Sequence, residues 1–124
     1  MSIMTTTRTS RNCRLGNIVL VLYPNSDLRT AKARPSLVIQ ANDLNTGLPQ
    51  IIVAMITSNL QRAEHPCRIT LRIRSSEGKR SGLLTDSVVM TDNLATIVEA
   101  AVYRTIGSLK MAKVDRALRH TLGL

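Results

Sequence analysis

Arg68, Thr70, Arg72 and Arg74 alternate along the chain with Cys67, Ile69, Leu71 and Ile73. On an extended chain successive side chains point to opposite faces, so the apolar set lines one face and the arginines the other. Residues two apart on a strand stand about 6.6 Å apart, close to the phosphate spacing of an extended single-stranded nucleic acid. A row of guanidiniums at that pitch can track a phosphate backbone. If it neutralises about three phosphates, the single-strand salt slope is near −2. The solvated outer face of a half-buried strand produces the same alternation.

Other groups offer less. The chain has Tyr23 and Tyr103 but neither Phe nor Trp, so base stacking has few rings to use. Tyr23 ends an apolar run beside a loop, where its ring can stack on a base or seal a core edge with its hydroxyl in water. His65 lies in a polar loop and His120 near the C-terminus. Nothing in those contexts brings them to one phosphate, as a paired-imidazole ribonuclease requires. Asp43, Glu64, Asp86, Asp92, Glu99 and Asp115 form no tight cluster in sequence. A two-metal nuclease is therefore not indicated, and metal-free chemistry is expected. Cys13 and Cys67 form no CxxC pair, which fits a reducing compartment better than a disulfide framework or metal site.

These residues sit in a chain of 124, the size of one domain, able to bury roughly two-thirds of its unfolded surface. Seventeen Lys and Arg against eight Asp and Glu leave a net charge of +9 and a pI near 10.8. Such a balance favours polyanionic partners: nucleic acid, an anionic membrane or an acidic protein. Arg outnumbers Lys, which favours planar, bidentate phosphate contacts. The longest unbroken apolar run, Ile18 to Tyr23, is too short to cross a bilayer. Residues 1–14 hold no hydrophobic signal core, so a cytoplasmic location is expected.

The positioning elements read as short strands. Residues 1–14, rich in Thr, Ser and Arg, read as a disordered basic tail, and residues 15–124 as the folded domain. Gly16–Tyr23 is an apolar strand closed by the turn residues Pro24-Asn25-Ser26-Asp27. A polar loop runs to Ala33, followed by strands over Pro35–Gln40 and Gln50–Thr57. Cys67–Arg74 is the alternating strand, Ser75–Gly82 a polar loop and Ser87–Thr91 a further strand, with one or two more between Ala95 and Gly107. Ser108 is the expected N-cap of a terminal helix carrying Met111, Val114, Leu118 and Leu122 on one stripe, with Gly123 ending it. The expected fold is mainly β with added helices: a small barrel or curved antiparallel sheet, with the amphipathic C-terminal helix packed on it.

The segments also resemble, in order and spacing over residues 15–124, the MazF/PemK toxins. The resemblance rests on Gly16-Asn17-Ile18-Val19-Leu20-Val21, Arg34-Pro35-Ser36-Leu37-Val38-Ile39 and Ile52-Val53-Ala54-Met55-Ile56-Thr57-Ser58. It continues through Ser81-Gly82-Leu83-Leu84, Asp86-Ser87-Val88-Val89, Thr91-Asp92-Asn93-Leu94-Ala95-Thr96-Ile97 and Ile106-Gly107-Ser108-Leu109. It implies an SH3-like β-barrel, usually homodimeric, with no cofactor. It also implies a type II toxin, a metal-independent, sequence-selective endoribonuclease that cuts single-stranded mRNA by attack of a ribose 2′-hydroxyl. The family's catalytic Arg of the Arg-Pro motif matches Arg34, and its partner Thr matches Thr57.

A guanidinium can stabilise the charge that builds on nonbridging phosphate oxygens, and a Thr hydroxyl can donate to one of them. Ser26 and Asp27 lie in the loop where that family places groups that cover or contact RNA, and Asn93 matches a polar amide position near its base-binding groove; each can equally stabilise a turn. From the residues themselves, Tyr23 can stack on a base and Arg68, Arg72 and Arg74 can hold the backbone. Asn17 departs from the family's usual Asp after the first Gly. The implied partners are an acidic antitoxin folding along the basic groove, and operator DNA reached through the antitoxin complex. Two other readings share the barrel: a CcdB-like toxin that poisons DNA gyrase by protein binding, and a catalytically inactive nucleic-acid-binding barrel.

Overall fold

The computed structural model describes residues 13–124. Of the tail expected over residues 1–14, only Cys13 and Arg14 fall within the described residues. Cys13 packs against a core cluster. The Arg14 backbone N–H donates to the Asn17 side chain at 2.9 Å and its guanidinium pairs with Asp43 at 3.5 Å. Asn17 thus supplies the acceptor oxygen that holds the turn into the first strand.

Strand β1 (Asn17–Pro24) forms where β-branched and aliphatic residues supply both faces. Strand β2 (Ala31–Val38) starts earlier than the expected Pro35. The loop between them is a self-sealed hairpin turn. The Asn25 N–H donates to the Thr30 carbonyl at 2.9 Å, and the Asp27 carboxylate accepts the N–H groups of Arg29 and Thr30. The ladder therefore begins at Pro24 opposite Ala31 and runs to Ile18 opposite Leu37. Pro35 is consequently mid-strand. It is tolerated there because β3 (Gln50–Thr57) pairs only with Ser36, Leu37 and Val38, leaving that side of β2 open at Pro35.

The remaining strands are β4 (Arg68–Leu71), β5 (Ser87–Val98) and β6 (Val102–Ser108). All pair antiparallel in the order β4-β5-β3-β2-β1-β6, a curled six-stranded sheet. The expected Ser87–Thr91 strand is longer because β5 carries a bulge and goes on. Ala54 lies opposite Leu94 but Met55 lies opposite Met90, so Thr91, Asp92 and Asn93 stand outside the β3 ladder.

Two segments differ from the sequence expectation. Ser75–Gly82 is not a loop but helix α1 (Ser76–Ser81), capped by the Ser75 hydroxyl, which accepts the Gly78 N–H at 3.0 Å. The terminal helix α2 (Ala112–Leu122) is preceded by Met111, not Ser108, because Ser108 is still in β6 opposite Asn17. Gly123 ends α2 with φ 71°, as the sequence indicates.

Helix α1 spans the gap between the edges of the sheet. It follows edge strand β4, and its end lies directly on edge strand β6. A Cβ on Gly107 would come within 2.3 Å of the Ser81 carbonyl carbon, and one on Gly82 within 2.0 Å of the Ile106 oxygen. Only glycine permits that approach. One core cluster, with Ile18, Leu37, Ile56, Ile69, Leu71 and Val89, packs against Val114 and Ala117 of α2. A second, around Val19, Val21, Val38, Val53, Ile97 and Val102, fills the curl of the sheet. Of the expected helix stripe, Val114 is buried, whereas Leu122 is exposed.

Candidate active site

At the end of the sheet where β2 outruns its pairing with β3, the two strands part and leave a cleft of about 450 Å³. Ser36 opposite Met55 is the last pair. The same register continued outward by two residues would set Arg34 opposite Thr57. Both residues line this cleft. They share a face of the sheet by alternation from that last pair.

Thr57 Oγ1 accepts the Asn59 N–H at 3.1 Å, which fixes the hydroxyl and leaves its proton to donate outward. Arg34 is exposed and has no carboxylate partner among the described residues. Lys32 and Arg104 line the same cleft, which contains no Asp or Glu side chain. Arg104 stands on β6 opposite Leu20, whose other neighbour is Pro35. The sequence reading missed it. Its only signal is a cation in the middle of a short strand. Cations this concentrated, with no acid to neutralise them, raise the local concentration of anions.

A second hollow of about 780 Å³ adjoins the cleft, sharing Ser58, Leu84 and Thr85 with it and carrying Arg72 and Arg74. The two arginines are not on β4, as the alternation predicts, because that strand ends at Leu71. Beyond it the chain turns. The Ile73 N–H donates to Asp86 at 2.9 Å, and the Arg72 carbonyl accepts from both the N–H and the hydroxyl of Ser75. Arg72 pairs with Asp86 at 3.1 Å. The Ile73 N–H first, and the Arg72 guanidinium second, hold the Asp86 carboxyl below its ordinary range.

The continuous guanidinium row on one strand is therefore not formed. Arg68 stays on β4, where it pairs with Asp92 at 2.8 Å and donates to the Arg62 carbonyl at 3.1 Å. That Arg68 hydrogen bond keeps Asp92 well below the usual carboxylate range.

The other sequence candidates spread around this centre. Tyr23 lies opposite Lys32, and Val21 opposite Arg34, so Tyr23 shares the Arg34 face. Its ring packs on the second core and its hydroxyl donates to Met55 Sδ at 3.3 Å, outside the cleft lining. Ser26 and Asp27 are exposed in the hairpin turn. Asp27 is held below its ordinary value by the Arg29 and Thr30 N–H groups. Asn93 is exposed on the β5 bulge and lines neither hollow.

The two histidines, which their sequence contexts leave apart, do meet in the fold. The fold brings His65 and His120 to a ring-centroid separation of 6.5 Å, edge to face, because α2 packs beside β4. Neither lines the cleft.

A family model, PemK-like and MazF-like toxins of type II toxin–antitoxin systems, matches residues 14–122. The chain belongs to the PemK/MazF toxin family. A relative, endoribonuclease EndoA of Bacillus subtilis (strain 168), is 36% identical over 94 residues, covering 73% of this chain and 77% of the relative.

Solved structures carry the same fold. An endoribonuclease in complex with its cognate antitoxin, from a mycobacterial species, has a TM-score of 0.68 at 21% identity and covers 90% of this chain and 96% of that one. Mycobacterium tuberculosis toxin MazF-mt6 has a TM-score of 0.66 at 24% identity, with 87% and 97% covered. A MazE–MazF structure from Deinococcus radiodurans has a TM-score of 0.66 at 18% identity, with 90% and 96% covered. The sheet of this PemK/MazF member, mainly β with added helices, is the fold expected from the sequence.

Proposed function

We propose that this PemK/MazF chain is the toxin of a type II toxin–antitoxin pair and cleaves single-stranded mRNA at selected sequences without metal. The observation that carries the reading is the convergence of Arg34 and Thr57 on one carboxylate-free, cationic cleft. The 2′-oxygen of a ribose attacks the adjacent phosphorus as the bond to the 5′-oxygen breaks. A cyclic phosphate and a free 5′-hydroxyl result.

Negative charge grows on the nonbridging oxygens in the transition state. The Arg34 guanidinium offers two parallel N–H donors there, and the Thr57 hydroxyl a third. Arg34 acts by charge and position, and no proton passes through it. Water carries the proton from the 2′-hydroxyl and to the leaving oxygen.

The same cationic surface suits an acidic antitoxin segment that folds along it. Two relatives of this fold were solved with an antitoxin. In this reading the toxin works in the cytoplasm as a homodimer and meets operator DNA through the antitoxin. The chain is incubated with a defined RNA in EDTA, and the products are sized and their ends identified by mass. Cleavage leaving a cyclic phosphate, lost in Arg34→Ala even at RNA concentrations that saturate the variant, supports the reading. The gyrase-poisoning and inactive-barrel readings instead require that wild type and Arg34→Ala leave RNA equally intact.

A further inference from the structure

Ser58, Leu84 and Thr85 form the ridge between the cleft and the neighbouring hollow. Leu84 is 90% exposed, more than any other large apolar side chain among the described residues. A side chain so placed contributes little to folding, since its apolar area stays in water. Arg34 and Thr57 stand on one side of the ridge, Arg72 and Arg74 on the other.

The hollow beyond it is apolar where Leu60 and Ile73 line it, and both of those are also partly exposed. Each cavity, about 450 and about 780 Å³, exceeds the volume of a nucleobase. The cations of the cleft, with no acid among them, match a nucleic-acid backbone passing over the ridge.

We propose that Leu84 is a wedge that enters between the two bases flanking the scissile phosphate, seating one base in each hollow. The inference rests on the cleavage reading above and adds how the substrate is shaped. In a stacked RNA strand the 2′-oxygen is not in line with the phosphorus and the departing 5′-oxygen, so attack requires the step to be unstacked and turned. Aliphatic side chains unstack base steps in other nucleic-acid complexes by insertion. With no Phe or Trp in the chain, an aliphatic wedge replaces an aromatic platform. Leu84 is a positioning residue: it acts through the conformation of the substrate.

The test uses an RNA with 2-aminopurine beside the cleavage step and a 2′-deoxy sugar at the attacking position, so that it binds uncut. Binding to the wild type is expected to raise 2-aminopurine fluorescence through unstacking, and Leu84→Ala to bind with the rise lost. On cleavable RNA, Leu84→Ala is expected to lower kcat on the order of 10- to 100-fold, with KM changed by less than about threefold. Leu84→Met should restore both signals. Circular dichroism checks that the fold is kept. Unchanged kcat, or a persistent fluorescence rise, in Leu84→Ala overturns the wedge while leaving the nuclease intact. Absence of cleavage by the wild type overturns the cleavage reading itself, and the wedge with it.

Discussion

Arg34 and Thr57, 23 residues apart in sequence, both lie just beyond the last β2–β3 pair and line the same cleft. The ladder ends at Ser36 and Met55, and the open strand ends carry the guanidinium and the hydroxyl into one cleft. The unpaired interval is what leaves the cleft open there. Continued pairing would have closed it.

The first prediction concerns that pair. Arg34→Ala is expected to lower kcat on the order of 10²- to 10³-fold, the usual cost of removing a preorganised donor from a developing oxyanion. Thr57→Ala is expected to cost less, since it removes one neutral donor. Arg34→Lys should recover little, because an ammonium cannot reproduce the two-pronged contact. Arg34 is exposed, so the urea midpoint of Arg34→Ala should match the wild type, within about 0.5 kcal/mol. Single-turnover cleavage and urea unfolding check the two halves.

A second prediction tests the closure of the sheet by α1. A Cβ at Gly78 would lie 2.0 Å from the Arg72 oxygen, and one at Gly107 2.3 Å from the Ser81 carbonyl. Backbone must move in both cases. Gly78→Ala and Gly107→Ala should each cost about 3 kcal/mol or more, a fall in Tm of roughly 10 °C or more. Gly47→Ala is the control. Nothing lies within 4 Å of its Cβ position, so only its φ of +79° is penalised, by about 1 kcal/mol. Thermal melts of the three variants give the comparison.

A third prediction follows from the acids. Asp92 is held low chiefly by the Arg68 hydrogen bond, and Asp86 chiefly by the Ile73 N–H. Their native values lie below the unfolded ones, so the native chain binds fewer protons in that interval. Stability from both groups is therefore present at neutral pH and is lost as pH falls from about 5 through the depressed values. Urea midpoints measured from pH 7 down to pH 3 should decline less steeply for Asp92→Asn than for the wild type. The two curves should converge in acid.

The apolar runs that became β1 and β3 were legible, because burial on both faces leaves a continuous aliphatic signature. Helix α1 was not. Its sequence, Ser-Glu-Gly-Lys-Arg-Ser, has no apolar stripe, and it forms because Ser75 caps it and Gly78 lets it lie against Arg72. The arginine alternation ran past the end of β4, since a period of two does not mark where a strand turns. Asp86, 14 residues beyond Arg72, makes that turn by binding the Ile73 N–H. Arg34 and Thr57 were singled out by resemblance. Neither spacing nor composition places them together, because their meeting depends on where one ladder stops. The nearness of His65 and His120 likewise arises from helix packing, which local context does not encode.

The last prediction separates the strand row expected from sequence from the groove that the fold builds. The row used Arg68, Arg72 and Arg74, and about three phosphate contacts gave a slope of log affinity against log salt near −2. In the structure Arg68 is spent on Asp92 and Arg72 on Asp86. An arginine already neutralised by a carboxylate displaces few counterions when RNA binds. Among the described residues, the cations along the two hollows that form no ion pair with a carboxylate are Lys32, Arg34, Arg104 and Arg74, although Arg74 also feels the charge of Asp86. Four single-strand phosphate contacts give a slope of about −2.8, close to a 50-fold loss of affinity from 50 to 200 mM salt. Fluorescence anisotropy with a 2′-deoxy-blocked RNA measures it. Arg104→Ala and Arg74→Ala should each make the slope shallower by about 0.7. Arg68→Ala should leave it unchanged, and a shallower slope in that variant would return the binding surface to the outer face of β4.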